Sequence, residues 1–221
     1  MTRYHGHRVV TSQQEDFMAR DKEETKARIL AAVGRLLAES GFKGLGVNAI
    51  AREAGVDKVL IYRYFEGLPQ LLQSFAKEGD YWPSVEELVG DESTVNAETL
   101  AGWMAYLLSR FSDNLQERPM TQEILRWELL EGNELTRELA HVRDRFALDS
   151  LKFLEEKGSF PPDKDIPAIS AVLVAGVVYL MLRTKSSSTF MGIDFSSPAG
   201  WQRIQAALDS MVQLTVADSK K

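Results

Sequence analysis

The chain has 221 residues, enough to bury a substantial core, and its 44% hydrophobic and 26% charged residues are those of an ordinary globular protein. It contains no cysteine, which excludes disulfide frameworks, thiolate zinc sites and cysteine nucleophiles. The net charge of −6 is uneven: residues 1–80 carry 12 Lys+Arg against 11 Asp+Glu and the remaining 141 carry 14 against 21, so the overall acidity does not exclude a phosphate-binding N-terminal part.

Residues 1–22 are polar, without a sustained period or the apolar stretch of a signal peptide, and read as a flexible arm. From Glu23 the pattern is helical: Ile29, Leu30, Val33, Leu36 and Leu37 recur at the spacing of one helix face, and Gly41 stops the run. A loop to Gly46 leads into two short helices, about Val47–Ala54 and Lys58–Tyr64, separated at Gly55. A fourth helix, about Pro69–Gly79, starts with a proline suited to a first turn. Gly79 marks the end of the first domain, giving 1–22 as arm, 23–79 as head and 80–221 as body. Beyond a mixed segment, five long helices are expected at about Val95–Gln116, Met120–Leu130, Glu134–Glu156, Ile166–Met191 and Pro198–Val216, set apart by Pro119, Gly132-Asn133, Gly158 to Pro162 and Gly192 to Ser197. No strand alternation is visible. The fold class is therefore all-α, an N-terminal helical head plus a C-terminal helical bundle, about nine helices in all.

The informative stretch runs from Asn48 to Phe65. Ala51 and Ala54 keep the first short helix thin enough for a close crossing, and Gly55 can take the positive φ that ends it. Asp57 is a good N-cap for the second helix. Ile50 and Ile61 are expected to plug the core against Ile29, Val33 and Leu37. That leaves Lys58, Val59, Tyr62 and Arg63 facing outward near the start of the second helix, as a major-groove reading helix requires. Tyr64 can donate to a phosphate through its hydroxyl.

A helix-glycine-helix pattern alone is common among all-α proteins. The ordered block is more specific: Ala31-Ala32, Leu36-Leu37, Gly41-Phe42, Val47, Ile50-Ala51, Ala54-Gly55-Val56, Ile61-Tyr62-Arg63-Tyr64-Phe65 and Leu71-Leu72. Over Thr25–Ala76 it resembles the TetR family of transcriptional regulators. The resemblance implies a three-helix helix-turn-helix head that binds DNA, a ligand-binding and dimerising helical body, and a palindromic operator. Two positions depart from the family pattern. Gly46-Val47-Asn48 stands where a capping Thr is usual, and Leu68 stands where a Lys is usual. Asn48 can offer its amide in place of the Thr, and Lys43, Arg52, Lys58 and the arm's Arg20, Lys22, Lys26 and Arg28 can compensate for the missing cation, so the resemblance adds Lys43, Val47, Asn48 and Arg52 to the expected DNA contacts.

In the body, Ile166–Leu182 is apolar around its circumference but short of the roughly 20 residues of a bilayer span. It reads as a buried core or interface helix. Ala171, Ala175 and Tyr179 on this helix, with Trp201, Ile204, Leu208 and Met211 on the last one, are expected to form a homodimer interface. Trp103, Met104, Tyr106, Leu107, Phe111, Trp127, Phe146, Tyr179 and Met181 are expected to line a pocket for a hydrophobic or aromatic ligand. Arg126, Glu128, His141 and Arg183 are candidates to orient it. His5-Gly6-His7 lacks a third ligand, and His141 stands alone, so no metal site is expected. No catalytic constellation and no cofactor site are expected either. The reading is a cytoplasmic, non-membrane, non-enzymatic repressor that binds operator DNA as a dimer and responds to a small ligand. The alternative is a helical small-molecule binder or enzyme with a vestigial head.

Overall fold

The computed structural model describes residues 12–78 and 81–216, with side chains from Ala19 onward. The first eleven residues of the expected arm, His5 and His7 among them, lie outside the described residues, as does Gly79. The chain divides into two compact units between Phe75 and Ala76.

The first unit opens with helix α1, Ser12–Ser40. This is eleven residues earlier than the periodicity predicts. No Gly or Pro interrupts residues 12–33, and Gln, Glu, Met, Ala, Arg and Lys there are strong helix formers. Residues 19–24 are exposed on every side, so no apolar stripe marks them in the sequence. A 3-10 turn, Phe42–Gly44, leads to α2 (Val47–Ala54) and α3 (Lys58–Phe65). Ile29, Val33, Leu37, Ile50 and Ile61 are all fully buried, as their spacing requires. Arg35 on α1 pairs with Glu53 on α2 at 2.6 Å. The division between the units falls inside α4, Leu68–Glu78.

The second unit is a bundle of α5 (Val85–Val89), α6 (Leu100–Gln116), α7 (Pro119–Leu130), α8 (Glu134–Lys157), α9 (Ile166–Arg183) and α10 (Pro198–Val216). The described residues thus hold ten α-helices. The one the sequence did not announce, α5, spans five residues and is too short to show a period. Helix α6 is the axis, in contact with α5, α7, α8, α9 and α10. Thr99 caps it through the Gly102 N–H at 3.1 Å. Asn133 and Thr136 form a reciprocal capping box at the start of α8.

Helix α9 stops at Arg183, not at Met191. Thr184 and Ser186 turn their hydroxyls onto the preceding carbonyls of Met181 and Arg183, an alternative that competes with continued helix. A two-stranded antiparallel hairpin follows, β1 (Thr189–Phe190) and β2 (Ile193–Asp194). Its turn residues Met191 and Gly192 have φ of 53° and 74°, the sign pair of a type I′ turn, which suits the twist of a hairpin. Gly200 on α10 lies so close to this hairpin that a Cβ there would sit 1.8 Å from the Asp194 carbonyl oxygen.

Candidate nucleic-acid interface and ligand cavity

In the first unit, Gly55 ends α2 in the left-handed conformation, φ 65° and ψ 39°. Its neighbour Val56 donates its N–H to Ala51 at 3.0 Å, which closes the turn. Asp57 then starts α3: its carboxylate accepts from the Val59 N–H at 2.8 Å. With the phase of α3 fixed in this way, Ile61 and Phe65 point into the core. Lys58, Val59, Tyr62 and Arg63 fall on the outer face, Val59 and Tyr62 each more than half exposed. Lys43, Asn48 and Arg52 are exposed on the elements just before the turn, and Val47 is half-buried. Tyr64 is half-buried too, with the Lys22 ammonium 5.9 Å from its ring centroid. Leu68 is half-buried at the start of α4, where it gives no cation.

The second unit contains a cavity of about 370 Å³ between α6, α7, α8 and α9. Four of the residues expected there line it: Met104, Leu107, Phe111 and Phe146. Five do not. Trp103 packs edge-on against Phe153 and Tyr106 and carries the Lys157 ammonium over its ring. Tyr106 is held by its hydroxyl, which donates to the Val89 carbonyl at 3.0 Å. Trp127 is half-buried away from the cavity, and Met181 belongs to the close-packed core. Tyr179 faces an adjoining groove that shares Leu125, Arg143, Ala175 and Val178 with the cavity.

Arg143, Trp82 and Ser170 line the cavity and escaped the sequence reading. Trp82 sits in a cluster with Phe111 and Phe146, at ring-centroid distances of 5.6 and 6.1 Å. The Arg143 guanidinium lies 5.7 Å from the Trp82 ring centroid. The same guanidinium pairs with Glu128 of α7 at 2.6 Å, and that carboxylate side chain is only 7% exposed. Burial pushes the Glu128 carboxyl above the usual range, against the lowering effect of Arg143. Burial likewise raises the Tyr81 phenol, whose hydroxyl donates to the Leu139 carbonyl at 2.6 Å. One signal could have found Arg143: with Phe146, Ser150 and Leu154 it keeps the i, i+3/i+4 register of a single face of α8. Of the other polar candidates, Arg126 pairs with Glu123 at 2.7 Å, His141 is exposed, and Arg183 lines the groove.

The two helices expected to meet a second copy are amphipathic in an unusual sense. Helix α9 buries Ile166, Leu173, Val177 and Met181 within its own unit. Its opposite side exposes Ala171, Val172, Ala175, Gly176 and Tyr179, with Val172 72% and Tyr179 54% accessible. Among the described helices, α9 is also long and apolar enough to cross a membrane by length and composition. On α10, Trp201 and Leu208 belong to the unit's own core, a correction to their expected place in an interface, because they fall on the face turned to α6. Ile204 is half-buried, and Met211 and Leu214 remain exposed, the latter at 83%.

Residues 29–74 match the profile of bacterial regulatory proteins of the tetR family. The HTH-type transcriptional repressor SCO4008 of Streptomyces coelicolor is 33% identical over 129 residues, 58% of this chain. The chain spans 60% of that repressor's length. Among solved structures, a TetR family transcription regulator from Marinobacter aquaeolei superposes with a TM-score of 0.60 at 20% identity, covering 90% of this chain and 99% of that one. The regulator FadR from Bacillus subtilis, solved in complex with stearoyl-CoA, gives 0.60 at 19% identity, covering 86% and 97%.

Proposed function

We propose that this chain, which belongs to the TetR family of bacterial regulators, is a ligand-responsive repressor that binds a palindromic operator as a homodimer. The observation that carries the reading is the division of α3, which buries Ile61 and Phe65 and leaves Lys58, Val59, Tyr62 and Arg63 outward. Such a face can enter the major groove, with the cations and the Tyr62 hydroxyl at base edges and phosphates. Lys43, Val47, Asn48, Arg52 and Tyr64 would add contacts to the flanking backbone. The acidic balance of the rest of the chain is compatible with this, because counterion release depends on local cations.

Dimerisation is supported by the apolar side chains left exposed on α9 and by Met211 and Leu214 on α10, the kind of surface that marks an interaction site. Ligand response is supported by the cavity in the second unit. A similar fold was solved with a bound acyl-CoA. A cytoplasmic site of action follows from the operator as target.

The test is in two parts. Selection of bound sequences from random duplexes should return a two-fold symmetric site, bound in a gel shift that weakens steeply with salt. Absence of any selected duplex would sink the reading. Light scattering should give twice the monomer mass, and Ala175→Arg should halve it.

A further inference from the structure

The cavity of the second unit is apolar along most of its wall, but its polar groups are few and unevenly placed. Arg143 stands at one end of the lining face of α8, and Phe146, Ser150 and Leu154 continue that face. Leu154 lies eleven positions beyond Arg143, so this stretch of α8 rises about 16 Å at 1.5 Å per residue. Arg143 borders both the cavity and the adjoining groove, whereas its partner Glu128 borders the groove alone. Arg143 is thus common to the walls of both. The Trp82 indole nitrogen and the Ser170 hydroxyl, both on cavity-lining residues, are buried without a hydrogen-bond partner. Buried polar atoms in that condition are uncommon and mark a place where an acceptor is missing.

We propose that the cavity takes an elongated apolar monocarboxylic acid, whose carboxylate replaces Glu128 on Arg143 while its chain lies along the α8 face toward Leu154. This deepens the ligand-responsive reading and rests on it. The charge and shape of the lining decide the class. A cationic head would meet Arg143 directly. A neutral head would leave the Arg143–Glu128 pair in place and gain little from it. A planar carboxylate matches the guanidinium fork and carries one charge against one. The mostly apolar wall, continued along α8 from Phe146 to Leu154, suits a hydrocarbon body.

The exchange balances with one proton. Before binding, Arg143 is neutralised by ionised Glu128. Afterwards it is neutralised by the ligand carboxylate, and Glu128, still buried, takes a proton from solvent. The ionisable groups around the pair are Tyr81 before α5, Glu128 on α7, Arg143 and Asp144 on α8, and Arg183 on α9. Asp144 is exposed at the rim, and Tyr81, with its phenol raised by burial, stays neutral. Glu128 is therefore the group that takes the proton, and affinity for the acid should fall as pH rises. The exchange would also free α7 from the tie that Glu128 makes to α8.

Calorimetric titration of the full chain without DNA tests this, with straight-chain saturated acids from octanoate to palmitate and the alcohols and amines of equal length. The acid should bind about tenfold more tightly than its alcohol, the contribution of one charge-assisted pair, and the amine should be weakest. Glu128→Gln, close in shape, should tighten the acid several-fold and flatten the pH dependence. Arg143→Met should abolish the preference for acid over alcohol. Equal binding of acid and alcohol, no binding by any member of the series, or tighter binding of palmitoyl-CoA than of palmitate would overturn the assignment. So would a weakened acid affinity in Glu128→Gln. The head-group series needs no variant, so a misfolded Arg143→Met leaves it intact. A gel shift on the same preparation separates the two levels. DNA binding without acid binding removes the ligand class alone, and acid binding without DNA binding removes the regulatory function alone.

Discussion

The two units solve different packing problems. In the first, the small helices close on one another through residues that reach zero exposure, Gly55 in the left-handed region and Asp57 as a cap fix the α2–α3 turn, and Arg35 pairs across to Glu53. In the second, larger unit, α6 is surrounded on all sides, yet the helices around it leave a cavity of about 370 Å³. The proposed function would account for the contrast: side chains held in register with a DNA groove call for tight packing, and a ligand calls for a void. The contrast can be broken experimentally.

The largest effect should come from emptying the tight side. Ile61→Ala should cost about 2–5 kcal/mol, measured by denaturant unfolding followed through the first unit. Leu107→Ala, at the wall of the existing void, should fall at the low end of that range, because its side chain already lacks neighbours on one side. Equal losses would mean that the second unit is no looser than the first. Next in size, Lys58→Ala together with Arg63→Ala should weaken operator binding by about tenfold or more and reduce the salt slope by about one per lost phosphate contact, with the second unit's melting unchanged. A smaller loss, about 1 kcal/mol, is expected for Asp57→Ala in unfolding of the first unit, since only the cap of α3 is removed. The subtlest effect is a pH dependence confined to the second unit. Glu128 has its folded pKa raised above its ordinary value by burial. The unfolded chain therefore binds fewer protons in the window above that ordinary value, and the Glu128 contribution, present at lower pH, is lost as pH rises through the raised one. Thermal melts should show wild type losing stability relative to Glu128→Gln across that window; parallel curves would show that the carboxyl is not perturbed.

The first unit was legible in the sequence because local chemistry dictates it. Ala51, Ala54, Gly55 and Asp57 are each demanded by a turn whose geometry involves only neighbours in the chain, and the outward face of α3 follows from counting residues from the cap. The second unit's helices were legible from period and breakers, but its cavity was not. Trp103 and Phe111 both fall in the apolar α6 pattern, yet one packs against Phe153 and the other faces the void; the difference is set by helices far away in sequence. Arg143 was missed because its role depends on Glu128, fifteen residues away on another helix. The hairpin at Thr189–Asp194 was missed because two-residue strands carry no alternation. Trp201 and Leu208 were assigned to an interface by spacing alone, and spacing cannot say which of two apolar faces meets the same chain and which meets another.

The contact between Gly200 and the Asp194 carbonyl has a consequence for alignment. From Gly200 to Leu214, α10 extends about 21 Å, so it behaves as a lever whose short end rests on the hairpin. A methyl group inserted at the rest point cannot be absorbed, since the obstacle is backbone. Tilting the helix by only about 5° to make room would swing Leu214 by about 2 Å, a large fraction of a side-chain diameter. The tolerance for that swing is set at the exposed apolar stripe, far from the point of insertion. In the proposed dimer, Gly200→Ala should therefore register as an error of assembly before it registers as an error of folding.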